Sequence, residues 1–396
     1  MAPGSTRLAV LATYAVAVLT SGCAAQIEGQ PTTGTVRTYY VAADEVVWNY
    51  VPGEVDRITG EPFGFLDQPI VNSGPMFIGR SYKKALYREY TDDTFTTLKP
   101  RPPEWEHLGS QGPLLRAEVG DTFRIVFKNN VKFPVSLHPH GVIYKKDSEG
   151  APYADGTSGS DRADDGVKPG ATHVYEWPVP ERAGPGSHDP NSILWMYHSH
   201  IDEEADVNAG LIGPMIVHAR GTMQANGLPE GIDRELVVAF AEYDENMSHY
   251  LAENIDTYAG DPAAYKKMYT LPDGSLFGGC DFFSNLSCAV NFRETMNGFS
   301  FGYTPGLTMR VGERVRWYLM ATTNFEIHAP HWHGHTVEMS GMRTDVAALV
   351  TMGMAVADMV PDNPGTWLFH CHVGPHMRAG MQALFTVEGP AATRTQ

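Results

Sequence analysis

The chain of 396 residues has only four cysteines, no run of basic residues and few signs of long helices. These shortages narrow the possible functions. Lys and Arg total 29 against 46 Asp and Glu, a formal charge of −17. No stretch would neutralise a phosphate backbone, so nucleic acid is not an expected partner. The apolar stretch Leu8 to Leu19, behind Arg7, is too short to span a bilayer but suits the h-region of a secretory signal. With 40 Gly, 28 Pro and 11% aromatic residues, the composition favours short strands and turns over long helices. The length suffices for two domains, each burying its own core.

The N-terminal segment reads as an export signal over residues 1–22. Thr20-Ser21-Gly22-Cys23 resembles a lipoprotein cleavage box, with Cys23 as the lipid-anchored first residue. A plain signal cut near Ala24 and Ala25 is the alternative, and both readings place the chain in the periplasm or at the cell surface. In that oxidising setting Cys280 and Cys288, eight positions apart, suggest a small disulfide-closed loop, with two free thiols as the other reading.

A first strand is expected over Thr38 to Ala43 and Glu45 to Tyr50, and further strands at 114–119, 122–129, 173–177 and 211–218. After the Gly-, Asn- and Pro-containing stretch 221–233 the pattern restarts, with strands at 235–241, 307–311, 314–320, 366–370 and 382–387. The two halves echo one another. The segment from Leu115 to Phe127 parallels Leu307 to Leu319, and Tyr197-His198-Ser199-His200 answers Phe369-His370-Cys371-His372. The expectation is an all-β chain in which a β-sandwich is duplicated, with domains at 35–220 and 234–390 joined by a 221–233 linker.

Most of the 16 histidines gather in four clusters. These are His138-x-His140, His198-x-His200, His328-x-x-His331-x-His333, and His370-Cys371-His372 followed by His376 and Met381. Side chains alternate along a strand, so His370 and His372 share one face while Cys371 takes the other. A thiolate, an imidazole and a thioether make up most of the ligand set of a blue-copper centre, which still needs a second imidazole.

Taken together, the clusters resemble those of the multicopper oxidases, in which a blue type 1 copper feeds a trinuclear cluster that reduces dioxygen to water. The likeness is closer to the ceruloplasmin and hephaestin type than to fungal laccases. It is carried by Ile78 to Tyr90, Glu149 to Asp155, Tyr197 to Asp202 and Asn363 to Val373, and it covers nearly all of the mature chain. The resemblance implies two tandem cupredoxin-like Greek-key β-sandwiches and four coppers per chain. It implies His328, Cys371, His376 and Met381 at type 1 copper and His138 with His331 at type 2. His140, His198, His200, His333, His370 and His372 would then lie at the type 3 pair. Cys371, His370 and His372 would connect the two centres.

The animal relatives have six such domains and this chain has two, so the resemblance also implies a homotrimeric ring with trinuclear sites between subunits. In the first half, Ser199 stands at the cysteine position and Glu203 or Glu204 at that of the second imidazole, so only one type 1 copper per chain is expected. The other six histidines are expected to be surface or core residues, with His335 supporting the ligands beside it.

The reductant is less legible. Where the family's ferroxidases hold Fe(II), this chain has Ala289, Glu294 and Pro375, so an iron site of that design is not expected. Met339, Met342, Met352, Met354 and Met359 could hold Cu(I) or pack a core. A laccase-like oxidase of phenols or metal ions is the resulting expectation. Asp161, Asp164 and Asp165 resemble a calcium loop of the ceruloplasmin family, with a plain acidic turn as the alternative. Asp202, Asp206 and Glu204 are proton-relay candidates set against a solvated acidic loop. The rival functions are a copper nitrite reductase, which would need only a mononuclear catalytic copper, and a non-catalytic exported copper-binding protein.

Overall fold

The computed structural model describes residues 34–75, 77–269, 291–322 and 327–390. The expected signal with Cys23, and Cys280, Cys288 and Ala289, lie outside the described residues. The first eight strands are β1 (Val36–Asn49), β2 (Ser81–Tyr90), β3 (Leu115–Glu118), β4 (Thr122–Asn129), β5 (His138–Pro139), β6 (Thr172–Pro178), β7 (Ser192–His198) and β8 (Ile212–His218). The following ten are β9 (Arg234–Asp244), β10 (Phe292–Met296), β11 (Thr308–Arg310), β12 (Val315–Ala321), β13 (Pro330–Trp332), β14 (Val337–Met339), β15 (Met342–Thr344), β16 (Met354–Met359), β17 (Gly365–Cys371) and β18 (Gln382–Glu388). The helical pieces among them are short, among them Glu203–Ala209, Leu251–Tyr258 and Gly374–Arg378.

The strands form four sheets in two pairs. The orders β2-β1-β4-β6 and β3-β8-β7-β5 make the first sandwich, and β10-β9-β12-β16-β14-β15 with β11-β18-β17-β13 make the second. The duplication read from the sequence extends to the pairing. β1 runs parallel to β4 as β9 does to β12, and β3 parallel to β8 as β11 does to β18. The expected first strand runs through Asp44, with β1 paired to β2 without interruption from Tyr40 to Asn49. Asp44 is tolerated there because its carboxylate accepts hydrogen bonds from Tyr90 and Asn130, both at 2.8 Å.

Each sandwich has an apolar interior, and a third core lies between them. In β8, Met215 and Val217 face the first interior while Ile212 and Ile216 face the third core. In β9, Leu236, Val238 and Phe240 face the second interior while Val237, Ala239 and Ala241 meet the third core. Burial on both faces explains why these strands read as near-continuous apolar runs and not as alternating ones.

Polar groups tie the sandwiches together around that shared core. Arg116 on β3 forms a forked pair with Glu235 on β9, at 3.2 and 2.7 Å, and Tyr318 on β12 donates to the same carboxylate at 2.7 Å. Arg316 reaches across to Ser192 and Asn191 at 2.6 and 2.7 Å and pairs with Asp358. The buried ammonium of Lys84 pairs with the buried carboxylate of Glu245 from the other half. The forked geometry of the two arginine pairs offsets the desolvation that would otherwise make buried charges costly, whereas burial still lowers the Lys84 pKa.

Two unassigned histidines belong to this framework. His107 accepts the backbone N–H of Val237 at 3.0 Å, and burial lowers its pKa to about 4. His218 lies 3.0 Å from the Arg116 guanidinium, and burial followed by that charge lowers its pKa to about 3. Both stay neutral when folded but take up a proton when unfolded below their ordinary pKa of about 6.5. Acid therefore favours the unfolded chain. Apoprotein stability is expected to fall as the pH drops below about 6.5, each of the two contributing up to about 1.4 kcal/mol per pH unit until its folded-state pKa is passed. Urea midpoints measured from about pH 7 to about pH 5 check this, and a level profile contradicts it.

Candidate metal centres

The pairing of β13 with β17 sets Pro330 opposite Cys371, His331 opposite His370 and Trp332 opposite Phe369. Pleating then sorts the side chains by face. Cys371 is fully buried on the core side, where His328 and His376 converge on it, each only 3% exposed. Its sulfur lies 3.8 Å from His328 Nδ1 and 3.6 Å from His376 Nδ1. A sulfur about 2.3 Å and a nitrogen about 2.0 Å from one ion, at a trigonal angle of about 120°, would be about 3.7 Å apart. The three donors are thus spaced to share one metal. Met381 is buried in the same core, and its backbone oxygen accepts the Cys371 N–H at 3.1 Å. Burial lowers the pKa of His328 to about 3, so its ring nitrogen keeps a free lone pair at neutral pH.

On the opposite face of β17, His370 and His372 gather with His331 and His333, ring centroids 4.8 to 5.3 Å apart. The first sandwich holds a matching quartet, His138, His140, His198 and His200, built on the equivalent pairing of His138 with His198. The two quartets agree in hydrogen bonding. Nδ1 of His138 meets the Glu149 carbonyl at 2.7 Å, and Nδ1 of His331 meets the Asp345 carbonyl at 2.9 Å. Nδ1 of His198 and of His370 lie 3.0 and 2.9 Å from the carbonyl of the residue that follows each. Each carbonyl holds the proton on Nδ1 and leaves Nε2 as the donor to a metal. The Nε2 atoms of His140 and His198 are 3.1 Å apart, and those of His333 and His370 are 3.0 Å apart. Two nitrogens about 2.0 Å from one ion at about 90–110° would be separated by about 2.8–3.3 Å, so each pair fits a shared metal.

Among the described residues, no ring contact or hydrogen bond joins one quartet to the other. Each quartet also has an open edge. His372 is exposed, and the side chain of His200 is 39% exposed.

Models of multicopper oxidase domains match residues 109–222 and 283–390, which contain both quartets and Cys371. Mouse hephaestin is 40% identical over 363 residues, and human ceruloplasmin is 38% identical over 363. The chain belongs to the multicopper oxidase family. Its aligned region covers 90% of this chain but 30% of hephaestin, and 89% of this chain but 32% of ceruloplasmin. A human protein named as a ferroxidase is 42% identical over 360 residues, again 90% of this chain and 30% of that protein. The chain thus spans about a third of the length of these curated relatives. The crystal structure of a multicopper oxidase superposes with a TM-score of 0.53 at 19% identity, covering 89% of each chain. A blue copper oxidase from Nitrosomonas europaea gives 0.54 at 16% identity, covering 89% of this chain and 86% of that one. These two establish the two-sandwich cupredoxin-like fold.

Other expectations for this multicopper oxidase fare less evenly. The five methionines do not gather at one point. Met359 is in the second core, Met352 and Met354 pack on the third, and Met342 is 68% exposed. Asp161, Asp164 and Asp165 form no convergent metal-binding group among the described residues. Asp164 is buried with Oδ1 unpartnered, Asp165 pairs with Arg162 at 2.7 Å, and Asp161 is exposed. Glu203 does not take the place of the second imidazole in the first sandwich, and its carboxylate lies 3.4 Å from His200 instead. That place falls to Asp206, whose carbonyl accepts the Leu211 N–H as His376 accepts that of Met381. The helix that carries it, Glu203–Ala209, is two residues longer than its counterpart Gly374–Arg378, and the equivalence shifts by two residues.

One site was missed by sequence reasoning. Glu242, Glu294 and His376 form a buried cluster with donor atoms within 4.8 Å of one another, and Glu242 lies 3.9 Å from His376 Nε2. The available signal was a lone carboxylate in the otherwise apolar run from Leu236 to Tyr243.

Glycines shape the turns of both quartets. Gly141 and Gly334 follow the His-x-His pairs at φ of +77° and +67°, and each is covered by a tryptophan, Trp195 or Trp367. A Cβ on Gly141 would lie 2.2 Å from the Trp195 ring. Gly141→Ala is expected to destabilise the apoprotein by about 2–4 kcal/mol, from the left-handed backbone plus overpacking, read as a lower urea midpoint.

Proposed function

We propose that this chain is an oxidase that takes single electrons from a metal-ion reductant and reduces dioxygen to water. The observation that carries this reading is the buried His328–Cys371–His376 triad, one peptide bond away from two imidazoles of a histidine quartet. His328, Cys371, His376 and Met381 would hold type 1 copper, and His138 with His331 type 2. His140, His198, His200, His333, His370 and His372 would hold the type 3 pair, making four coppers per chain. Copper bound there supplies one-electron chemistry at the triad and four-electron reduction of dioxygen at the cluster. The protein's part is to set the ligands. Burial keeps His328, His140 and His198 neutral, carbonyls aim the Nε2 atoms, and Cys371 provides a covalent link to His370 and His372.

The boundaries 35–220 and 234–390 are taken as the two cupredoxin domains, with residues 1–22 as an export signal ahead of a periplasmic or cell-surface protein. No helix among the described residues is long and apolar enough to cross a membrane. Each quartet needs a second one to enclose a three-metal cluster, and the two in one chain do not meet. A homotrimer, in which the first quartet of one subunit faces the second quartet of the next, would close three such sites. Ile327 at 61%, Val346 at 37% and Val350 at 63% exposure lie around the segment carrying His328 and His331, which supports a partner surface there. Light scattering of the copper-loaded protein is expected to give three times the chain mass. A monomer with full oxidase turnover contradicts the shared site.

A metal ion is favoured as reductant because Glu242 and Glu294 sit at the outer nitrogen of His376. Carboxylate oxygens suit a divalent ion such as Fe(II), whereas a bulky phenol finds at most 3% of either triad imidazole exposed. Glu294 stands at one of the places named for the family's iron ligands and Glu242 at none of them, so the pair is a different ligand set for the same class of reductant. Oxygen uptake with Fe(II), Cu(I) and a phenol checks the reading. Cys371→Ser is expected to abolish turnover of all three. The double variant Glu242→Gln, Glu294→Gln is expected to raise the KM for Fe(II) about tenfold or more and leave the phenol rate unchanged. Equal effects on both reductants would remove the carboxylates from the reductant site.

A further inference from the structure

In the first sandwich, the place that corresponds to the blue-copper site holds no thiolate; Val135 and Leu211 make two of its positions apolar, and Ser199 and Asp206 keep the other two polar. Ser199 follows His198 as Cys371 follows His370, and its N–H bonds the Leu211 carbonyl at 3.1 Å as that of Cys371 bonds Met381. Val135 stands three residues before His138 as His328 stands before His331, each in an isolated bridge to a neighbouring segment. Asp206 stands in for His376. In the second sandwich, a metal would tie the cysteine to this position. In the first, the Ser199 hydroxyl donates to Asp206 Oδ2 at 2.6 Å, the length of a charge-assisted hydrogen bond.

We propose that Asp206 is a positioning residue for the first quartet, replacing a metal bridge by a hydrogen-bonded one. Oδ2 also accepts the Asp202 N–H at 3.2 Å. Ser199 Oγ accepts the Ser136 N–H at 3.0 Å, and the Ser136 hydroxyl oxygen accepts the His200 N–H at 3.1 Å. These bonds lock the segment His198 to His200 onto the segment that leads to His138. The other carboxylate oxygen is held from the second sandwich. His249 Nε2 lies 2.8 Å from Asp206 Oδ1, and its ring stacks on Phe133 with centroids 3.9 Å apart. Asp206 is fully buried while the His249 side chain is 25% exposed, so the second sandwich closes the outer side of this bridge.

The inference rests on the first quartet holding copper, and its test separates the two. Apoproteins of Ser199→Ala, Asp206→Asn and His249→Gln are loaded with copper and titrated with a chelator, while the blue absorption of the Cys371 site serves as an internal control. Ser199→Ala leaves Asp206 and the Ser136 N–H each one partner short and is expected to melt somewhat lower while folding normally and keeping the blue band. Its non-blue copper should be released at chelator concentrations roughly 10- to 100-fold lower, the range for losing a group that orients a metal ligand. Asp206→Asn keeps an oxygen acceptor for Ser199 and is expected to fall between Ser199→Ala and the wild type. Retention of all non-blue copper at wild-type chelator concentrations in Ser199→Ala overturns the proposal, as does parallel loss of the blue band. A wild-type chain that binds blue copper alone overturns the quartet assignment itself, and this inference with it.

Discussion

Neighbouring side chains of a pleated strand must point to opposite faces, and the site in this protein depends on that constraint. In β17 it sends Cys371 into the core and His370 towards the rim, with His372 continuing the alternation just beyond the strand. Two chemically different sites thus share one short backbone. The inner one is buried and held by packing, with Met381, Phe369 and Trp332 around it. The outer one has an open edge, where His372 is exposed. A one-residue slip of β17 against β13 would exchange the two faces, so the pairing of His331 with His370 matters as much as the identity of the ligands.

Duplication explains why the fold repeats, and divergence explains how the copies differ. Both sandwiches keep the strand pairing, the His-x-His turn closed by a glycine under a tryptophan, and the Nδ1-to-carbonyl bonds that aim the imidazoles. They part at the position behind the strand. One copy has a thiolate with two imidazoles, and the other a hydroxyl with a carboxylate. Burying Asp206 is tolerable because both of its oxygens have partners.

The third core has consequences for function. β8 and β9 are buried on both faces, and the buried pairs Arg116 with Glu235 and Lys84 with Glu245 cross the same boundary. This fixes the two sandwiches against each other while leaving the quartets without mutual contact among the described residues. The same rigidity that stabilises the single chain therefore opposes a hinge motion that would bring the two quartets together.

The ligand types, their alternate spacing and the internal repeat were legible in the sequence, because a period of two in an extended chain is a local property. The two-sandwich fold and most strands followed from them, and the family resemblance supplied the expected copper ligands. Contacts between distant segments were not legible in this way. Glu242 reads as a stray charge in an apolar run until β9 pairs with β10 and brings Glu294 and His376 beside it. Asp206 could not be told from Glu203 or Glu204, because helix length decides which carboxylate turns inward. The separation of the two quartets is set by a core shared between sandwiches. Local sequence determined which groups can bind metal here, and only packing between distant strands decided which of them meet.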